Sequence, residues 1–309
     1  MATLRDIRRR IRSVQNTAKI TKAMELVAAS KMRKAMQSVL GTRPYAKLAW
    51  STVASISSKI DTRMHPLLRT HKKLNRILLL IISSDRGLAG GFNANILRKT
   101  FDEIRSYEQS DESDEYVEIR TVCVGKRVMD AMRRAEIPII ASFADITNNT
   151  KFEEVLPIGR LVIDEFTKGN YDKVLVAYTD FVSALTQRPV ILELLPLGLP
   201  KDITHEQNAK AGADFVPVHA DKTREYQFEP SPQIVLDRIL PRLIETMVYQ
   251  AVLESAASEH SARMMAMRSA SDAAKDMLGD LTFTYNQARQ AGITQEIAEI
   301  SSGKAALEN

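Results

Sequence analysis

The chain has 309 residues, 44% hydrophobic and 26% charged, the balance of a globular protein large enough for one sizeable core with extensions. Its longest apolar run, Ile77 to Ile82, is a strand's length against the roughly 20 residues a bilayer requires, which argues against a membrane span, and a single Cys excludes an intrachain disulfide framework and Cys-rich zinc sites. The net charge of +5 is unevenly placed: residues 1–74 carry 17 Lys and Arg against 3 Asp and Glu, a local +14, whereas 75–231 sum to −6 and 232–309 to −3.

From Met1 to Leu40 there is neither Gly nor Pro. At 1.5 Å per residue this stretch predicts a rod of roughly 60 Å, too long to be folded into a globule whose radius of gyration is near 20 Å. The opening Met-Ala-Thr-Leu-Arg-Asp-Ile-Arg-Arg-Arg is Arg-rich and amphipathic like a transit peptide. The helical pattern nevertheless runs on to about Ser58 without a change of composition, so the segment is read as part of the helix. Leu4, Ile7, Ile11, Val14 and Ala18 step by three and four, the seam spacing of a coiled coil. A shifted seam is expected to continue through Ile20, Met24 and Val27, and later through Met32, Ala35 and Val39.

Beyond residue 74 the period changes. Arg76–Ser83, Glu118–Val124 and Tyr171–Tyr178 are β-branched, apolar and strand-length. Helical segments at Asn93–Glu108, Lys126–Ala135 and Phe152–Thr167 separate them, and this alternation predicts a small parallel sheet covered by helices. Phe181–Leu195 reads as an added hairpin closed by Thr186-Gln187-Arg188-Pro189. Glu108–Glu118 is an acidic, solvated loop, and Leu199–Arg224 a polar surface excursion. Cys123, inside Val122-Cys123-Val124, is expected to be a buried, inert thiol, which fits a reducing compartment.

Ser231-Pro232 is a helix start, with Ser as cap and Pro in the first turn. Pro241 should kink this helix or mark its true beginning. Arg242–Leu278 again lacks Gly and Pro, and a helix from Pro232 to Leu307 would reach about 110 Å. Met264, Met267, Ser271, Ala274, Leu278, Leu281, Tyr285 and Ala288 repeat the three-four alternation. An antiparallel pairing of the two ends lets each stripe cover the other. The expected domains are 1–74, a shaft helix and linker; 75–231, a central α/β domain; and 232–309, the second shaft helix.

Chemistry is sparse. The loop Ser84-Asp85-Arg86-Gly87-Leu88-Ala89-Gly90-Gly91-Phe92-Asn93 could offer backbone N–H groups to a phosphate. Its spacing is neither G-x-G-x-x-G nor G-x-x-x-x-G-K-[ST], and Asp85 would repel the ligand, so a tight turn shaping a protein contact is the preferred reading. Gly303-Lys304 only echoes a phosphate loop, because Ala305 and Ala298 stand where a hydroxyl residue and a Gly belong. The His residues, at 65, 71, 205, 219 and 260, include no pair at helical ligand spacing, and there is no G-x-S-x-G elbow. No catalytic constellation, metal site or cofactor is expected. Two other classes stay open on the residues alone. One is a nucleic-acid adaptor using the +14 region, although the first helix has no aromatic residue to stack on bases; the other is a nucleotide-binding enzyme built on the Gly-rich loop.

The segment Arg10-Ile11-Arg12-Ser13-Val14-Gln15-Asn16-Thr17-Ala18-Lys19-Ile20-Thr21-Lys22-Ala23-Met24-Glu25-Leu26-Val27-Ala28-Ala29-Ser30-Lys31-Met32 closely resembles the first helix of the gamma subunit of F-type ATP synthases. The loop 84–93 and the tail Asn286-Gln287-Ala288-Arg289-Gln290-Ala291-Gly292-Ile293-Thr294-Gln295-Glu296-Ile297-Ala298-Glu299-Ile300 resemble that family's loop after the first strand and its C-terminal signature. The resemblance implies an α/β fold class in which the N- and C-terminal helices form an antiparallel coiled coil and the centre is a Rossmann-like α/β domain with a small, mainly parallel sheet. It implies a rotor shaft inside a ring of three alpha and three beta subunits, standing beside an epsilon subunit on a membrane proton ring. The chain would then be non-catalytic itself, peripheral, and on the cytoplasmic face of a bacterial plasma membrane. By position, Arg8, Arg9, Met24, Arg86, Arg268 and Gln295 would be partner-contact or coupling residues, and Tyr226, Phe228 and Glu229 would face the proton ring. Two departures stand out. Ala89 replaces the loop's usual Cys, and Lys304 replaces the small residue that normally follows the tail Gly. With Cys123 alone, thiol control of rotation is not expected.

Overall fold

A computed structural model describes residues 3–57, 65–70, 73–108, 117–148, 150–197, 229 and 231–307. The elements in chain order are α1 (Leu4–Ser57), a short 3-10 turn (Pro66–Leu68), β1 (Arg76–Ile82), α2 (Phe92–Glu108), β2 (Glu118–Val124), α3 (Lys126–Arg134), β3 (Ile139–Phe143), α4 (Phe152–Thr167), β4 (Lys173–Phe181), β5 (Gln187–Leu195) and α5 (Pro232–Leu307). Two compact units result: residues 29–263, and residues 1–28 with 264–309.

In the larger unit the five strands lie in the order β3-β2-β1-β4-β5. Three of the four pairings, β3–β2, β2–β1 and β1–β4, are parallel and β4–β5 is antiparallel. Six successive residues of β1, Ile77–Ile82, are buried, as a central parallel strand covered on both faces requires. Alternation then divides the core. Leu78, Leu80, Ile82, Val122, Val124, Val176 and Tyr178 point to the face covered by Val155, Ile158 and Val162 of α4 and by Leu240, Ile244, Val248 and Val252 of α5. Ile77, Leu79, Ile81, Cys123, Leu175 and Ala177 point to the face covered by Ile96 and Ile104 of α2 and by Val128 and Met132 of α3. Each such aliphatic side chain contributes roughly 1.5–3 kcal/mol by leaving water. Gly159 of α4 permits the close helix contact, since a Cβ there would stand 3.3 Å from Glu245 Cα.

The sequence expectations need four corrections. β3 was not expected; it is a short edge strand after Pro138, too brief to show a period. The hairpin turns at Val182–Thr186, where Ser183 and Thr186 exchange backbone hydrogen bonds. Gln187, Arg188 and Pro189 already belong to β5, opposite Phe181, Asp180 and Thr179. The helix from Ser231 does not have its beginning at Pro241: α5 runs through that residue, and Ser231 caps it with Oγ 3.4 Å from the Ile234 N–H. The carbonyl deprived of its donor by Pro241 belongs to Asp237, which is exposed, so water can serve it. The fourth correction concerns the seam of the smaller unit.

There, α1 begins with a reciprocal cap. Thr3 Oγ1 accepts from the Asp6 N–H at 3.3 Å, and Asp6 Oδ2 accepts from the Thr3 N–H at 3.3 Å and its hydroxyl at 2.7 Å, a capping box with Asp in the acidic place. These bonds hold the Asp6 carboxyl below its usual range. The covered face of α1 is Ile7, Ile11, Val14, Ala18, Thr21, Glu25 and Ala28. The four-three rhythm therefore continues unbroken, and Thr21 (8% exposed) and Ala28 (2%) occupy the places expected for Ile20 (60%) and Val27 (57%). On α5 every expected position from Met264 to Ala288 is covered, with Met267, Ser271 and Ala274 most buried. The Arg8 guanidinium donates to the Tyr285 hydroxyl at 2.5 Å and lies 5.5 Å over its ring. With that contact as anchor, only antiparallel running sets α1 residues against Met267, Ser271 and Ala274; parallel running would leave them facing nothing. The small seam residues Ala18, Thr21, Ala28, Ser271 and Ala274 allow close approach of the helices.

Candidate functional site: the helix pair and the loop after the first strand

The anchored register places Met24 opposite about Ser269, next to Arg268. Met24 is half-buried at the seam edge and Arg268 exposed. Arg8 is bound to Tyr285, while Arg9 turns back to Asp6 at 3.1 Å. With Arg5, Arg10 and Arg12 they form an outward cationic face. Gln295 is exposed and donates along its own helix to Glu299 at 2.9 Å. Antiparallel pairing exhausts the first helix opposite about residue 290. Past that point Ile293, Ile297 and Ile300, spaced four and three on one stripe, are 46%, 63% and 74% exposed.

The loop between β1 and α2 is held from three sides. The Asn93 amide donates to Ser84 Oγ at 2.8 Å, and that hydroxyl donates to the Arg86 carbonyl at 2.7 Å. The Arg263 guanidinium of α5 reaches the carbonyls of Arg86 and Gly87, each at 3.3 Å. Asp85 Oδ1 accepts from the Lys126 N–H at the start of α3 (3.1 Å), and Oδ2 from the Asp145 N–H (2.9 Å). A side-chain carboxylate thus occupies the free N–H at the start of α3, where an anion would otherwise be favoured. Gly125, at φ +96°, brings that helix start close to β1: a Cβ would lie 2.4 Å from the Ser83 carbonyl oxygen. The frame leaves the side chains of Arg86 and Leu88 exposed and Ala89 buried. Arg86 forms no ion pair among the described residues.

A polar cluster adjoins the loop. Glu259 pairs with Arg263 at 2.8 Å, both nearly buried, and burial pushes the Glu259 carboxyl up. Arg263 Nη1 lies 3.3 Å from His260 Nδ1. Burial first, then the charges of Arg263 and Lys31, push the His260 pKa down to about 4, so the ring is neutral and accepts from Arg263. Sequence reading missed this cluster, whose only signal was polar residues in an apolar helix. It also missed Ser255, Ser258 and Ser261, all fully buried.

In a doubly wound sheet a nucleotide sits beyond the strand ends where the winding direction reverses, here between β1 and β4. That place is taken by α5: the Thr179 N–H donates to Ser255 Oγ at 3.0 Å and Ser258 Oγ donates to the Thr179 carbonyl at 3.1 Å. Cys123 is buried, and desolvation lifts its thiol to about 11. Among the described residues no group of three or more His, Cys, Asp and Glu could hold a metal, and no helix is long and apolar enough to cross a membrane. Glu229 is exposed; Tyr226, Phe228 and the 199–224 stretch lie outside the described residues.

A paired-helix unit and an α/β unit whose ligand crevice is filled by its own helix define a mechanical subunit class. A family model described as ATP synthase matches residues 3–307. The chain is 42% identical over 308 residues to the ATP synthase gamma chain of Roseiflexus sp. (strain RS-1), covering 99% of each. It is 41% identical over 308 residues to that of Heliobacterium modesticaldum, covering 99% of this chain and 100% of the relative. Among solved structures, the central stalk/c-ring of Tetrahymena thermophila mitochondrial ATP synthase is similar at 26% identity and TM-score 0.58, covering 82% of this chain and 99% of that one. A chain of the Euglena gracilis mitochondrial enzyme shares the fold at 18% identity and TM-score 0.63, covering 98% of this chain and 94% of that one. The chain belongs to the ATP synthase gamma-chain family.

Proposed function

We infer that this chain is the central rotor shaft of an F-type ATP synthase, coupling proton flow through a membrane ring to ATP synthesis or hydrolysis at the sites of an alpha3-beta3 ring. The observation that carries the reading is the antiparallel helix pair whose second helix outruns the first. It has a cationic face and an apolar tip, both suited to a surrounding protein sleeve and neither suited to chemistry. The chain holds no catalytic site of its own. Its partners are the alpha and beta subunits, an epsilon subunit and the proton ring. It works as a peripheral subunit on the cytoplasmic face of a bacterial plasma membrane. For function it divides into 1–74, 75–231 and 232–309, shaft, foot and shaft.

Within this reading Arg8, Arg9, Met24, Arg86, Arg268 and Gln295 act at the ring. Arg86 is the residue best presented, since its loop is braced while its planar fork is left open to a carboxylate. Tyr226, Phe228 and Glu229 meet the proton ring. Rotation of an asymmetric shaft changes which beta site it presses, and so changes nucleotide affinity at each site in turn. Expressed with alpha and beta subunits, the full chain should co-purify in a complex that hydrolyses ATP. A chain that stays monomeric while alpha and beta assemble normally without it would overturn the reading.

A further inference from the structure

We propose that Ser255, Ser258 and Ser261 are the residues that key α5 to the sheet and carry torque between them. The assignment rests on the rotor reading above and adds the residues that transmit the load. Strand β4 continues beyond its last pairing with β1, which ends at Ile81–Ala177. Thr179, two residues on, turns its N–H and carbonyl to the same vacated side, because alternate residues of a strand share a direction. Its opposite neighbour on β5 is Pro189, whose missing N–H faces the outer edge, as an edge-strand proline requires. Two buried backbone groups of Thr179 are therefore left to be satisfied from the β1 side.

The helix supplies both. The Thr179 N–H donates to Ser255 Oγ (3.0 Å), and Ser258 Oγ donates to the Thr179 carbonyl (3.1 Å). Ser261 Oγ then donates to the carbonyl of Ala184 in the hairpin turn at 2.7 Å, and the Gln187 amide reaches Ser261 Oγ at 3.5 Å. Small neighbours, Ala251, Ala256 and Ala257, are equally buried along this stretch.

Apolar packing is non-directional and resists separation better than sliding or turning, whereas a hydrogen bond weakens steeply with angle. At 100° and 1.5 Å per residue, hydroxyls three apart wind backward round the helix as they climb it. A spiral of three bonds to fixed backbone groups opposes both rotation of α5 about its axis and displacement along it. A slip of one residue breaks all three bonds at once. These are positioning residues, since none touches a nucleotide or a proton path.

The test uses the complete enzyme in membrane vesicles carrying S255A/S258A/S261A. ATP hydrolysis by the detergent-released complex should stay within about twofold of wild type, because alanine suits a helix and leaves the packing small. Protons pumped per ATP hydrolysed should fall at least about threefold, and the Thr179 amide should exchange with solvent at least about tenfold faster. A pumping ratio equal to wild type, or unchanged Thr179 exchange, overturns the assignment. Should the triple variant not assemble, S255A alone, which deletes the acceptor of the Thr179 N–H, is read by the same two measurements. Failure of the wild-type chain to assemble with alpha and beta would instead strike the rotor reading.

Discussion

Mild acid should destabilise the larger unit through one ring. His260 is 3% exposed and meets Arg263 of its own helix (itself paired with Glu259), Lys31 of α1 and the backbone of Thr147 in the loop after β3. Burial and the two cations hold its pKa near 4 against 6.5 in the unfolded chain. Below 6.5 the unfolded chain takes up a proton that the folded chain refuses, so stability falls as pH drops from 6.5 towards 4 and is unaffected above 6.5. The slope is at most about 1.4 kcal/mol per pH unit, which gives a loss of about 2 kcal/mol at pH 5 and about 3 kcal/mol in full. Either is a large share of the roughly 5–15 kcal/mol that holds a domain together. Glu259 acts in the opposite sense, because its raised pKa favours the folded chain on acidification. The comparison is therefore between full-length wild type and His260→Gln, which keeps the acceptor for Arg263 and leaves Glu259 in both. In urea melts at pH 7.5 and pH 5, wild type should lose about 2 kcal/mol more than the variant. Equal losses would refute the argument.

Three further outcomes are expected. Gly125→Ala forces a Cβ to 2.4 Å from the Ser83 carbonyl at a φ of +96° and should cost about 3 kcal/mol or more in denaturant melts. Ser271→Leu overfills a seam position that is 2% exposed; it should cost about 1–3 kcal/mol and lengthen the distance between labels at residues 24 and 268, which in wild type sit on helices about 10 Å apart. Arg86→Glu should leave melting unchanged, since the side chain is exposed and unpaired among the described residues, while lowering proton pumping relative to ATP hydrolysis in vesicles.

The long helices, the strand–helix alternation and the resemblance at both ends were legible because each repeats a signal over many residues. The misreadings fell where residue type and period disagreed. At Ile20 and Val27 hydrophobicity suggested a shifted seam, but a helix cannot change face without an insertion, and strict continuation from Ala18 leads to Thr21 and Ala28. Small polar residues suit a close crossing, and the displaced apolar side chains point outward, as a surface meant for another subunit would have them. Thr186–Pro189 looked like a turn by composition, yet an edge strand tolerates Pro189. The serines of α5 were invisible for another reason: a serine in a helix is unremarkable until the strand end that needs it is in place.

The stretch from Ile293 to Leu307 has outrun its companion helix and meets no other among the described residues. Fifteen residues are barely enough to keep a helix wound in water without support, so in the free polypeptide this stretch should fray first and be clipped first by a protease. Once sheathed it should become the slowest to be cut. Resistance of that terminus to digestion is thus a simple gauge of whether the particle has closed around it.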